Sequence, residues 1–125
     1  MKYLLDTHIF IWWLEADERL ERGLKSIIDD PAYIKFVSIA TFWEIVTKVH
    51  AKKLVLKIPV KDILKNFEFE ALSIDLNHIL ELEKLPDYHK DPFDRILISQ
   101  AKAENLTLIS SDRKIWKYKI KTLKV

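Results

Sequence analysis

Four carboxylates in this sequence stand where chemistry could use them. Asp6 ends the apolar run Leu4-Leu5, and Glu44 lies within Phe42-Trp43-Glu44-Ile45-Val46. Asp94 follows Asp91-Pro92, and Asp112 follows Leu108-Ile109-Ser110-Ser111. Each has an ordinary explanation. Asp6 before Thr7 and Asp91 before Pro92 read as helix caps. Asp94, three residues after Asp91, favours the helix dipole. Asp112 in Ser-Ser-Asp-Arg reads as a turn. Glu44 either faces solvent or is buried with a partner. Taken together the bland explanations weaken. Four acids gathered in one place repel one another and call for a counter-charge. A hard divalent cation with oxygen ligands, Mg2+ or Mn2+, meets that need. Such a site activates a water and neutralises charge on a phosphodiester.

The acids converge only if the elements around them are arranged to bring them together. The run 2–6 reads as a buried strand ending in an acid. Apolar spacing predicts helices over 7–15 and 18–28, and a strand over 33–37. Ser38 is the expected cap of a helix over 39–53, which carries Glu44 about two turns in. A short helix over 60–67, a strand over 70–74 and a helix over 76–84 follow. Asp91 caps a helix running to 105, a strand covers 106–110, and 118–123 alternates like an edge strand. The four prolines, Pro31, Pro59, Pro86 and Pro92, mark boundaries. Strands alternating with helices imply an α/β fold with a parallel sheet between helices. Ligands bind such sheets beyond the carboxyl ends of the strands, where Asp6 and Asp112 are expected.

Composition narrows the chemistry. The 125 residues predict a single domain over 1–125, with 49% hydrophobic and 32% charged residues. The absence of cysteine excludes disulfide scaffolds, thiol nucleophiles and cysteine-based metal sites. Gly23 is the sole glycine, which excludes a Walker loop or a GxGxxG cradle. The net charge is +2, but residues 113–125 hold six bases and no acid, while residues 1–30 hold seven acids against four bases. A basic tail fits a nucleic-acid ligand and equally fits a lysine-protected edge strand. The apolar stretch 9–14 is too short to cross a bilayer, and no secretory segment opens the chain, so a cytoplasmic protein is expected.

Four pieces in series resemble the PIN-domain ribonucleases, specifically the VapC-type toxins of bacterial and archaeal toxin–antitoxin pairs. They are Leu-Leu-Asp-Thr-His at 4–8, Phe-Trp-Glu-Ile at 42–45, His-Lys-Asp-Pro-Phe-Asp-Arg at 89–95 and Leu-Ile-Ser-Ser-Asp-Arg at 108–113. The resemblance covers essentially the whole chain. It implies a three-layer α/β/α PIN-like fold around a central parallel sheet. It implies Asp6, Glu44, Asp94 and Asp112 as catalytic metal ligands for Mg2+ (or Mn2+), supported by Thr7, Ser110 and Asp91. It also implies a water that attacks RNA phosphate with no covalent intermediate. A small VapB-like antitoxin, whose C-terminal segment covers the active site and often inserts an arginine among the acids, and a homodimer come with the resemblance. Similar chains often have glycine near 50–54, where this one reads His-Ala-Lys-Lys-Leu; an altered turn is expected there.

Other residues make weaker candidates. His8 and His89 lie near the acids, and supporting or surface roles suit them better than metal ligation. Phe10, Trp12, Trp13, Trp43 and Trp116 can stack bases, but helical spacing favours core or interface roles. Arg95 and Arg113 either touch phosphate or pair with a neighbouring acid. A phospho-receiver domain would need a second acid after the first strand, and Thr-His-Ile-Phe follows Asp6 instead. An inactive PIN-like scaffold that binds a partner or nucleic acid has no reason to keep four repelling carboxylates. Lastly, Ile9, Phe10, Trp12, Trp13, Leu20 and Leu24 crowd the first two helices, and adjacent Trp12 and Trp13 point about 100° apart. An apolar patch covered by another chain is expected there.

Overall fold

The computed structural model describes residues 1–66 and 68–125. Strand β1 (Lys2–Leu5) leads into α1 (Thr7–Leu14) and α2 (Arg22–Asp29), then β2 (Ile34–Ser38). Helices α3 (Ile39–His50) and α4 (Val60–Asn66) lead to β3 (Glu70–Leu72). Helices α5 (Leu76–Glu83) and α6 (Pro92–Ala103) precede β4 (Thr107–Ser110). A 3-10 turn (Ile115–Lys117) and β5 (Thr122–Lys124) complete the order.

The five strands form one sheet in the order β3-β2-β1-β4-β5, and every pairing is parallel. Helices fill both faces because side chains alternate along each strand. Tyr3, Leu5, Val37 and Ile109 point into a core with α1, α2 and part of α3. Leu4 and Leu108 point the other way, into a core built mainly by α6. The result is the expected three-layer α/β/α arrangement. The chain winds outward from β1 to β3, then crosses back to β4 on the far side of β1. That reversal makes the gap between the ends of β1 and β4 the switch point of the sheet.

Three predicted boundaries move by three residues or more. The second helix begins at Arg22 rather than at 18, because Asp17 starts a turn instead. Its side chain accepts the Arg19 N–H (2.9 Å) and its carbonyl accepts the Leu20 N–H (3.0 Å). The edge strand shrinks from 118–123 to β5, because Tyr118 is buried with its hydroxyl donated to the Pro86 carbonyl (2.9 Å). The helix predicted to run to 53 stops at His50. There Lys52 takes a left-handed conformation (φ 58°), and the Lys53 N–H bonds the Lys48 carbonyl at 2.8 Å. This is a helix stop that glycine usually makes, so Lys52 carries backbone strain there. Phe67, the predicted end of the fourth helix, lies outside the described residues.

The expected patch on the first two helices does not form from those six residues. Ile9, Phe10, Leu20 and Leu24 are buried within the chain. Trp12 and Trp13 are half-buried: the Arg19 guanidinium covers the Trp12 ring, and Trp13 donates to Asp29 (2.9 Å) and stacks on Phe69. The large exposed apolar side chains include Trp43 and Val46 of α3 and Leu76, Ile79 and Leu80 of α5. Among the described residues, no helix is long and apolar enough to cross a membrane.

Candidate functional site

Asp6 and Asp112 stand just past the ends of the neighbouring strands β1 and β4, and the sheet itself sets their separation. Asp6 caps α1: its Oδ1 accepts the Ile9 N–H at 2.8 Å. Asp112 opens a turn in the same way, with Oδ1 accepting the Lys114 N–H at 2.9 Å. Ser110 links the two. Its hydroxyl bonds the Asp6 carboxylate and accepts the Asp112 N–H at 3.0 Å. Capping and site geometry therefore coexist, since the local bond of each acid orients the rest of its carboxylate.

Glu44 arrives from α3, whose cap Ser38 accepts the Ala40 N–H. A hydrogen bond of 3.0 Å between the buried hydroxyls of Thr7 and Thr41 ties α3 to α1. The Glu44 side chain is only 2% exposed. Its Oε2 accepts a hydrogen bond from Lys48 Nζ one turn later, while Oε1 is buried with no hydrogen-bond partner. Asp91 caps α6 through the N–H groups of Phe93 (2.8 Å) and Asp94 (3.3 Å), with Pro92 at the first helical position. That cap presents Asp94 from the first turn. Asp94 Oδ2 lies 2.9 Å from His89 Nε2, which also bonds Asp112 Oδ2 at 2.8 Å.

The electrostatics match the geometry. Burial lifts the pKa of the Asp94 carboxyl to about 8, and the nearby charges of Asp91, Glu44, Asp6 and Asp112 all push the same way. Burial also lifts Asp6, to about 6, against the pull of Ser110, the Ile9 N–H and His8. Burial lowers the Lys48 ammonium, but its bond to Glu44 and the attraction of Asp91 and Asp94 outweigh this and raise it.

The charges of Asp6, Glu44, Asp91 and Asp112 all act on Asp94, and Ser110 bonds both Asp6 and Asp112, so the acids gather at one end of the sheet. Arg95 does not join them. Its guanidinium donates to the carbonyls of Pro86 (2.9 Å), His89 (3.2 Å) and Leu85 (3.4 Å), so it braces the loop before α6 instead of facing a phosphate. Arg113 is exposed, as is His8. Sequence reasoning gave His89 a vague neighbouring role, yet its ring is in contact with two of the acids. The signal for this was its place two residues before the Asp91 cap, inside the motif that carries Asp94.

The donor set suits a hard divalent cation: all four carboxylates are oxygen donors, burial and the charges of the neighbouring acids raise the pKa of Asp94, and a buried Glu44 oxygen has no hydrogen-bond partner. His89, Asp94 and Asp112 place one ligand atom each within 4.8 Å of one another. Asp75, His78 and Glu104 cluster similarly elsewhere, but His78 is engaged there in the capping of α5 and with Glu104.

No curated protein sequence matches the chain. Several solved structures share its fold at low identity. The structure of VapBC2 from Rickettsia felis, bound to a DNA fragment from its promoter, aligns with a TM-score of 0.75 at 16% identity, covering 99% of this chain and 98% of that one. DNA-bound VapBC from Salmonella typhimurium aligns with a TM-score of 0.74 at 15% identity over 99% and 98%. A toxin–antitoxin complex from Klebsiella pneumoniae aligns with a TM-score of 0.66 at 18% identity over 98% and 96%. The family model of the PIN domain matches residues 3–121, nearly the whole sequence, and the chain belongs to the PIN domain family.

Proposed function

We propose that this protein is a metal-dependent endoribonuclease acting as the toxin of a toxin–antitoxin pair, of the VapC type. The observation that carries this reading is the meeting of four carboxylates at the switch point of a parallel sheet, one with a buried, unpartnered oxygen. The kinship in fold to toxin–antitoxin structures agrees with it.

Asp6, Glu44, Asp94 and Asp112 would hold the ion, Mg2+ or Mn2+. A divalent cation there neutralises charge on a phosphodiester and makes a water more acidic. The remaining work belongs to the chain. Asp6 and Asp112 are fixed to the sheet through Ser110, whose hydroxyl is committed to both. Thr7 is committed to Thr41. The family resemblance implies a water as the nucleophile, and these two hydroxyls serve structure in this reading. Asp91 holds the start of α6 and with it Asp94, which keeps a proton at neutral pH until it becomes a ligand.

RNA is the proposed substrate class, and the exposed Arg113 next to Asp112 begins a basic segment suited to its backbone. The proposed partners are a small VapB-like antitoxin, whose arginine would fit the carboxylates bidentately, and a second copy of this chain. The test is RNA cleavage by the purified protein in Mg2+ and in chelator, beside Asp6→Asn with its folding checked by circular dichroism. Cleavage is expected for the wild type in Mg2+ alone. Equal cleavage by Asp6→Asn would overturn the proposal, and RNA binding without cleavage would make the protein a scaffold.

A further inference from the structure

His89 touches two of the acids, and the proposed function leaves it without a task. It is held with unusual care. Its backbone N–H donates to the Tyr118 hydroxyl at 2.9 Å, and its carbonyl accepts from Arg95 at 3.2 Å. Tyr118 and Arg95 both also bond the Pro86 carbonyl, which closes the loop on itself. The ring is equally committed. Nδ1 accepts the Asp91 N–H at 3.1 Å, so the ring proton belongs on Nε2. That proton is aimed at Asp112 Oδ2 (2.8 Å), with Asp94 Oδ2 2.9 Å from the same nitrogen.

A ring arranged this way has no lone pair to offer a metal without breaking a bond. It is a donor, and it sits between the carboxyl groups of Asp94 and Asp112. With Nδ1 as acceptor it also adds no charge, so it fixes Asp112 beside Asp94 without cancelling the charge that attracts a cation. A lysine in that place would do the first and spoil the second.

We infer that His89 is a positioning residue: its Nε2–H holds Asp112 beside Asp94 at the spacing a divalent cation requires. The inference rests on the metal-site reading and adds a residue to it. Partners of this kind, hydrogen-bonded to ligands, typically change metal affinity about 10–100-fold when removed.

The test is titration of the metal-free protein with Mn2+ alone, followed by calorimetry and by the Mn2+ electron paramagnetic resonance signal, with no RNA present. His89→Phe keeps an aromatic ring, a somewhat larger one, and removes both nitrogens. His89→Gln puts an N–H donor near the place of Nε2. Phe is expected to weaken Mn2+ binding about 10–100-fold, and Gln to recover most of that loss. Unchanged or tighter binding by His89→Phe overturns this inference alone. Equal loss in both variants also overturns it, because packing and not the donor would then be responsible. Failure of the wild type to bind Mn2+ overturns the metal reading itself.

Discussion

Lys48 and Glu44 pair one turn apart on α3, and the pairing is lopsided: Lys48 holds Oε2 while the buried Oε1 has no partner. Lys48 is therefore an internal counter-charge for a pocket built to take an external one. Lys48→Ala would leave Glu44 buried without a neutralising group, at a cost of about 1–3 kcal/mol. In chelator the variant should melt below the wild type. Mg2+ should restore more stability to it than to the wild type, since the ion would replace the missing charge. Thermal melts in both conditions measure this. Equal melting temperatures in chelator would show that Lys48 does not support the pocket.

Stability of the metal-free protein should fall as pH rises. In the unfolded chain Asp94 ionises near the ordinary 3.8, whereas in the folded chain it does so at about 8. A raised folded pKa contributes stability that is complete below about pH 4 and lost as pH climbs to about 8. Asp6, raised to about 6, adds to the same slope at its lower end. A tenfold change in a carboxyl's affinity for its proton is worth at most about 1.4 kcal/mol of folding stability. Asp94→Asn removes the titration while keeping the shape. Its melting temperature in chelator should exceed that of the wild type at pH 8 by several degrees. The difference should shrink toward pH 5. A strongly destabilised Asp94→Asn at pH 8 would mean that Asp94 serves the helix and not the site.

Metal binding should show the opposite dependence. The proton on Asp94 must leave before the carboxylate can serve as a ligand, so cation and proton compete. Apparent Mn2+ affinity should rise up to about tenfold per pH unit between pH 6 and 8, then level off. Calorimetry in buffers of different ionisation enthalpy would count the protons released. A flat affinity across that range would remove Asp94 from the ligand set.

Much of this site is legible in the sequence because local and global demands coincide. Asp6, Asp91 and Asp112 read as caps and turn residues, and in the structure they are caps and turn residues. Strand-end and helix-start positions are also where a parallel sheet gathers ligands, so one signal serves both roles. What stays hidden depends on long-range contacts. Nothing local says that Glu44 turns inward, since that depends on how α3 packs against the rest of the fold. The loop from 85 to 89 is organised by Tyr118, 29 residues beyond His89, a distance no local pattern reports. The same Tyr118 contact is what shortens the edge strand, because a residue drawn into the core cannot continue an alternating edge.

The stop of α3 offers a test independent of the site. Lys52 holds φ at 58°, a conformation costing a side-chain residue about 1–2 kcal/mol. Glycine escapes that strain but loses more freedom on folding, by about 0.5–1 kcal/mol. Lys52→Gly should therefore stabilise the protein by about 0.5–1 kcal/mol, with metal affinity unchanged. A shift of the urea midpoint at constant slope would show it. Destabilisation would mean that Lys52 makes contacts that outweigh its backbone strain.

Self-association should depend on α3 and α5 and not on the first two helices. Trp43 is 59% exposed and touches Phe93 edge-on at 5.0 Å, beside a groove of about 460 Å³ lined also by Ile79 and Pro92. Leu76, Ile79 and Leu80 continue this apolar surface along α5. Leu80 is 49% exposed, so a charge there displaces little packing within one chain. Leu80→Glu should leave the monomer's stability within about 0.5 kcal/mol while shifting sedimentation from dimer to monomer. Trp13→Glu makes the contrast. Trp13 stacks on Phe69 and bonds Asp29, so its loss should lower the melting temperature whatever the oligomeric state. A dimer that survives Leu80→Glu, or a wild type that sediments as a monomer, would place the proposed homodimer contact elsewhere or remove it.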